Sequence, residues 1–313
     1  MPQVSTQKIL FAGTPEIAAF VLEKILQHKH HVVGVITATD KPAGRGLQMQ
    51  SSPVKQLADE HQILVFQPES LKNPDFLAEI HKLNPDLGVV VAFRMLPESV
   101  WNLPRLGSIN LHASLLPSYR GAAPINRAIM AGEQSTGITT FQLKKEIDTG
   151  DILLQQKMDI GENETAGELY IRMMEQGAQL ILETITGLFE GKLKAQPQEN
   201  MRASPAPKIF REDGLINPDN PAAHIHNQIR GLQPHPGAYL NWQGKILKLH
   251  ESRKTGKSCP AASNGKLLSF GNQLFLCCGD EYLEILRLQP EGKRIMGSRE
   301  FLAGHQIEKM TWQ

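Results

Sequence analysis

No apolar run in these 313 residues approaches the roughly 20 that a membrane helix needs, which argues against a spanning protein. Only eight polar-rich residues precede the first apolar run, Ile9-Leu10-Phe11-Ala12, so neither a signal peptide nor a transit segment is expected and the predicted location is cytoplasmic. Cysteine is scarce: Cys259, Cys277 and Cys278 are an odd number without a CxxC spacing. Neither a disulfide framework nor a zinc ribbon is therefore expected, and the three read as buried or idle thiols. Nucleotide signatures are missing as well. Gly13-Thr14-Pro15 lacks GxGxxG and sets a proline where a second backbone approach would be needed, which disfavours a dinucleotide site. Gly44-Arg45-Gly46 is followed by Leu-Gln-Met-Gln rather than Lys-Ser or Lys-Thr, which disfavours phosphoryl transfer at a Walker loop. His28, His30 and His31 lie at a helix-to-strand turn with no acidic or cysteine partner nearby in sequence, so no metal site is read there.

Present instead are 41% apolar and 21% charged residues, the composition of an ordinary globular protein, over a length that suits two separate cores. Short apolar runs alternate with helical patterns through the first half: Ile9 to Ala12, Pro15 to His28, Val32 to Ile36, Pro53 to His61 and Leu87 to Ala92. This is the signature of an α/β protein with a Rossmann-like, doubly wound, mostly parallel sheet. Ser108 to Leu111 and Gly137 to Leu143 read as further strands, and Thr165 to Glu190 as a long helix interrupted by Gly177 and Gly187. Apolar periodicity then lapses and prolines accumulate up to Pro207, as in an extended linker. Beyond it lie one helix, Pro221 to Arg230, and five short alternating strands between Ala238 and Leu288, which suggest a small OB-like barrel. The expected division is 1–190, linker 191–207, and 208–313. Charge is unevenly shared: from Lys208 onward there are 14 lysines and arginines against 10 acids, and before it 19 against 22. A basic tail hints at a polyanionic partner, although such a surplus also occurs on surfaces that bind nothing.

Ligands of open parallel sheets collect at the carboxyl ends of strands. Three polar segments fall at such ends: Gly13-Thr14-Pro15, Asn110 to Arg120, and Lys144 to Asp151. Asn110 and His112 are two apart on a strand and should face the same side. An amide donor beside an imidazole suits a carbonyl that becomes a tetrahedral oxyanion, and the imidazole can also carry a proton. The bland alternative is a capping asparagine and a satisfied, half-buried histidine. Asp148-Thr149-Gly150-Asp151 forms a turn whose first carboxylate can orient His112 or accept a proton from an attacking amine.

Asn110-Leu-His-Ala-Ser-Leu-Leu-Pro117, Arg120-Gly-Ala-Ala-Pro-Ile125 and Asp148-Thr-Gly-Asp151 together resemble the signature of formyltransferases that use 10-formyltetrahydrofolate. Further segments resemble the branch of that family whose acceptor is initiator methionyl-tRNA. They are Phe11 to Pro15, Lys41 to Gly46, Ser52 to Lys55, Gln67-Pro68 and Ala206 to Ile209. The resemblance implies that Asn110 and His112 stabilise and protonate a tetrahedral intermediate, with Asp148 holding His112 or taking the amine proton. Ser114, Leu115, Leu116 and Pro117 would line the folate site, and backbone at Val91, Ala92, Phe93 and Arg94 would cradle the pterin. No metal is implied, because the donor nitrogen leaves once protonated.

The thirteen-residue connection 39–51, with little pattern of its own, would enter the end of the tRNA acceptor stem with Arg45 as principal contact. This chain has Leu47-Gln48-Met49-Gln50 where relatives tend to carry lysines, leaving Lys41, Arg45 and Lys55 to supply charge and predicting a weaker salt dependence. Lys208, Lys245 and Lys248 extend the expected tRNA path, and the chain is expected to act as a monomer. Two rivals remain at this point. One is a formyltransferase for glycinamide ribonucleotide or an amino sugar nucleotide, and the other is a non-catalytic RNA-binding protein of the same fold.

Overall fold

The computed structural model describes residues 7–43 and 48–310. Strand β1 (Lys8–Gly13) is followed by α1 (Glu16–Gln27), which buries Ala18, Val21, Leu22 and Ile25, the spacing of one helical face. After β2 (His31–Ile36) comes an antiparallel hairpin of β3 (Lys41–Ala43) and β4 (Gln48–Gln50). A patternless connection is thus corrected to a paired one, although Arg45 lies outside the described residues. Helix α2 (Pro53–Glu60) is capped by Ser52, whose hydroxyl accepts from the Lys55 N–H, and places proline in its first turn, where no hydrogen bond is lost. Next come β5 (Val65–Phe66), α3 (Pro74–Lys82), β6 (Leu87–Val91), α4 (Glu98–Trp101) and β7 (Ser108–His112). Then follow α5 (Pro124–Ala131), β8 (Ser135–Gln142), β9 (Ile152–Asp159) and α6 (Ala166–Phe189).

The large sheet has the order β5-β2-β1-β6-β7-β8-β9. Strands β5 through β7 are parallel and β8 runs antiparallel to β7, which matches a mostly parallel, Rossmann-like sheet. β6 is buried along its whole length, as a central strand covered on both faces must be. The chain winds outward from β1 to β5 and resumes at β6 on β1's other side, so the switch point lies where Gly13 pairs with Val91. One core joins Ile9, Phe11, Val89 and Ile109 to Leu22, Ile25, Ile181 and Ile185; a second gathers Leu10, Ile36, Phe76, Ile80 and Val90. The two cores use alternate residues of the same strands.

Helix α6 is continuous, contrary to the interruption expected at its glycines. A Cβ on Gly177 would lie 2.7 Å from Leu111 Cδ2, and one on Gly187 2.6 Å from Leu193 Cγ. These glycines admit neighbouring half-buried leucines rather than breaking the helix, and close packing of those leucines offsets a helix-propensity cost of about 1 kcal/mol each.

The chain divides into two compact units: 1–120, 137–157 and 172–205 form one, and 121–136, 158–171 and 206–313 form the other. The expected linker therefore belongs largely to the first unit. Segment 121–136 joins the second because α5 is fastened to α7 (Ala222–Gly231), where Asn126 Nδ2 donates to the Gly231 carbonyl. The second unit continues with β10 (Ala238–Trp242), β11 (Lys245–Ser258), β12 (Leu267–Phe270), β13 (Gln273–Cys277) and β14 (Glu281–Pro290). It closes with β15 (Met296–Gly297), α8 (Ser298–Gly304) and β16 (Glu308–Lys309). β10 through β14 pair antiparallel in the order β10-β11-β14-β13-β12, with β16 parallel to β12. Ile225, Ile229, Leu249, Leu276, Ile285 and Phe301 fill its core.

Cys259 and Cys277 form a disulfide with their Cα atoms 5.7 Å apart, which corrects the expectation of three idle thiols. The pairing arises because the end of β11 and the end of β13 both flank β14, a proximity that the 18-residue spacing does not encode. Cys278 is free and buried, and burial pushes its thiol up to about 12. Among the described residues no helix is long and apolar enough to cross a membrane.

Candidate active site

β7 carries Asn110 and His112 to its carboxyl end, beside the carboxyl end of β6, with Val90 paired to Asn110. Leu111, between them, packs on Gly177 of α6, so strand alternation turns Asn110 and His112 to the opposite face. Asn110 is partly exposed, and its amide makes no hydrogen bond among the described residues. Its two donors are available to a ligand oxygen.

His112 is only 6% exposed, and its ring stands edge-on to Phe141 at 6.4 Å. Nε2 lies 2.8 Å from the Tyr119 carbonyl oxygen. A carbonyl can only accept, so Nε2 carries the hydrogen and the neutral ring presents its Nδ1 lone pair on the other side. There Asp148 Oδ2 stands at 3.7 Å, beyond hydrogen-bond length and within ion-pair range. The carboxylate thus stands on the Nδ1 side of the ring, opposite the Tyr119 carbonyl.

Asp148 reaches that place from a turn tied at several points. Its backbone is left-handed, with φ of 54°, a conformation uncommon for residues with side chains although least so for Asp and Asn. Thr149 Oγ1 donates to the Glu146 carbonyl, and Lys144 pairs with Asp151 at 2.6 Å. Gly150 packs directly on the Gln142 carbonyl at the end of β8, leaving no room for a Cβ. Gln198 Nε2 donates to the carbonyl oxygens of Asp148 and Gly150 at 2.9 and 2.7 Å.

The segment Ser114 to Pro117 is held from beneath. Thr139 Oγ1 donates to the Ser114 carbonyl at 2.6 Å and accepts from the Leu116 N–H, while Gln155 donates to the Leu116 carbonyl. Ser114 and Leu116 are buried, and the Ser114 hydroxyl donates to the Ser118 carbonyl. Leu115 and Pro117 are half-buried, and the Leu115 side chain packs on Gly137 of β8. At the end of β6, Val91 is buried and Ala92 is left-handed with φ of 46°. Arg94 lies near the Phe93 ring at 5.8 Å and donates to the carbonyls of Pro68 and Glu69. These bonds fix the loop and its backbone rather than offering the guanidinium.

Of the lysines singled out in the sequence, Lys55 is engaged by Asp40 at 2.6 Å, and that hydrogen bond, first, holds the Asp40 carboxyl below its ordinary range. Lys41 and Lys245 are exposed, Lys248 donates to the Pro236 carbonyl, and Lys208 lies over the Phe210 ring at 5.6 Å. Arg253 and Lys254 are committed to Glu284 and Glu162. Sequence reasoning missed Tyr119, Thr139, Gln155 and Gln198. The first acts through its backbone, and the others are polar residues without any distinguishing spacing.

The Formyl transferase family description matches residues 7–185, and Formyl transferase, C-terminal domain, matches residues 208–306. A methionyl-tRNA formyltransferase of Caldanaerobacter subterraneus is 44% identical over 309 residues, covering 97% of this chain and 99% of the relative. One of Bacteroides fragilis is 43% identical over 309 residues, covering 96% and 95%. Among solved structures, an N-formyltransferase from Helicobacter canadensis, in complex with folinic acid and dTDP-3-aminofucose, superposes with a TM-score of 0.69 at 23% identity. That match covers 89% of this chain and 98% of the other and speaks for the fold alone. The family descriptions together span most of the chain, the relatives match it over nearly its full length, and the chain belongs to the formyl transferase family.

Proposed function

We propose that this chain transfers the formyl group of 10-formyltetrahydrofolate to the α-amino group of methionine on initiator methionyl-tRNA, supplying translation initiation in the cytoplasm. The observation that carries the reading is His112, held between the Tyr119 carbonyl and the Asp148 carboxylate with the Asn110 amide on the same face of β7.

The neutral amine of methionine attacks the formyl carbon, forming the new C–N bond and driving charge onto the carbonyl oxygen. Asn110 hydrogen-bonds that oxygen as the charge develops, and His112 does so when its Nδ1 carries a proton, because its Nε2 hydrogen is already given to the Tyr119 carbonyl. Asp148 takes the proton leaving the amine or holds protonated His112. The proton taken from the amine, handed on to the folate nitrogen, then lets the old C–N bond break, releasing tetrahydrofolate and the formylated amine. Backbone at Val91 to Arg94 and the segment Ser114 to Pro117 would seat the folate at the switch point of the sheet, the usual ligand crevice.

For the acceptor, Lys41 and Arg45 on the 39–51 segment, with Lys55 in the first turn of α2, would meet the acceptor end of the tRNA, with Lys208, Lys245 and Lys248 continuing along the backbone. In this reading 1–190 is catalytic, 191–207 connects, and 208–313 is an OB-type RNA-binding region on a monomer. Lys55, paired with Asp40, adds less net attraction than its charge suggests.

The test is kinetic. Asn110→Ala should cost on the order of 10² to 10³ in kcat, and Asp148→Asn at least about 10². Changes confined to KM would reduce these residues to substrate positioning and remove the trio as the reacting site.

A further inference from the structure

We propose that segment 196–205, which the sequence marks as a plain connection, is part of the active site, and that Gln198 within it is the positioning residue for Asp148. This rests on the catalytic reading of His112 and Asp148 given above.

The segment is anchored at one end by Gln196, whose N–H and carbonyl both pair with Ile152 at 2.8 Å. Two residues on, Gln198 spends its amide nitrogen on the carbonyls of Asp148 and Gly150, at 2.9 and 2.7 Å. Its oxygen accepts from Arg120 Nε and Nη2 at 3.1 and 2.6 Å. Arginine can only donate and carbonyls can only accept, so the amide has one workable orientation. Arg120 is itself steadied by Asn200 Oδ1 at 2.8 Å.

At the other end, Ser204 Oγ accepts from the Tyr119 N–H at 2.9 Å, and the Ser204 carbonyl accepts from the Arg120 N–H at 2.8 Å. Tyr119 is the residue whose carbonyl receives the His112 Nε2 hydrogen. One extended segment thus fastens both loops that set the His112 to Asp148 separation.

Both loops need such fastening. Asp148 and Tyr119 have φ of 54° and 59°, left-handed conformations that are uncommon for residues with side chains and persist only where the surroundings hold them. The carboxylate to imidazole distance of 3.7 Å lies where small displacements separate an ion pair from a solvent-filled gap. Gln198 touches neither reacting atom, so its influence passes through Asp148.

The experiment compares Gln198→Glu, Gln198→Met, Asp148→Asn and both double variants in formyl transfer to methionylated initiator tRNA, with melting temperature and KM for 10-formyltetrahydrofolate. Gln198→Glu keeps the acceptor facing Arg120 and turns a carboxylate oxygen against two carbonyls; Gln198→Met removes both functions at similar size. The expected result is a kcat at least about tenfold lower in both single variants, with KM for the folate within about threefold. The loss should vanish when Asp148 is already Asn, because residues acting through one another are non-additive. Equal losses in both backgrounds, turnover near wild type, or loss of the folded state in both Gln198 variants would each overturn the positioning role. An unimpaired Asp148→Asn would overturn the catalytic reading as well, whereas an impaired Asp148→Asn beside fully active Gln198 variants would sink this inference alone.

Discussion

Gly150→Ala separates the geometry of the site from its chemistry, because it alters no polar group. A Cβ at position 150 would overlap the Gln142 carbonyl oxygen and lie 2.7 Å from the Gln142 carbonyl carbon. Ordinary contact begins at 3.4 Å, so the carbon alone demands a shift of about 0.7 Å, and the oxygen demands more. The end of β8 is locked in the sheet, so the turn carrying Asp148 is what moves. Misplacement of about 1 Å at a reacting group costs roughly 10² in rate, and overpacking costs about 1–3 kcal/mol in stability. Steady-state formyl transfer should therefore show kcat lowered about a hundredfold with KM for the folate little changed. Calorimetry should still report a cooperative transition. Wild-type turnover from a folded Gly150→Ala protein would refute the dependence on Asp148's position, since the steric argument leaves that turn nowhere else to go.

Two further predictions concern other regions. Arg45→Ala should raise KM for the tRNA while leaving folate binding unchanged, and unaltered kinetics with charged tRNA would remove the 39–51 segment from recognition. His226 donates Nε2–H to the Glu162 carbonyl and accepts from Ser252; burial, chiefly, lowers its pKa from 6.5 against the raising effect of the Glu162 bond. Below pH 6.5 the unfolded chain then binds a proton that the native state refuses, so this contribution is complete above that value and lost as pH falls. The melting temperature should drop between pH 7.5 and 5.5, less steeply in His226→Gln, with His30 and His250, lowered chiefly by burial too, sustaining part of the slope. An identical slope in the variant would contradict the assignment.

How far the sequence carried these conclusions differs by element. Period-two alternation put Asn110 and His112 on one face, and the packing of Leu111 on Gly177 is consistent with it. The parallel sheet was legible because its apolar runs alternate with helix starts at Pro53 and Pro124. Asp148 could be named but not measured, since a separation of 3.7 Å between residues 36 positions apart depends on the antiparallel return of β8. The role of Tyr119 is invisible in sequence because it is a backbone carbonyl. Gln198 lay hidden because prolines around it read as a connection, although proline-rich backbone is also what runs extended along a domain surface. The long helix was misjudged at Gly177 and Gly187 because intrinsic propensity yields to close packing. Helix α3 did carry readable signals, an asparagine cap and a proline in the first turn, while α8 is only seven residues long and offers no sustained period.

The most direct measurement gives the purified chain 10-formyltetrahydrofolate together with methionylated initiator tRNA, methionylated elongator tRNA, glycinamide ribonucleotide or an amino sugar nucleotide, and follows formyl transfer to each acceptor. The account predicts rapid transfer to initiator methionyl-tRNA and little to the other three; transfer only to a small amine would contradict it.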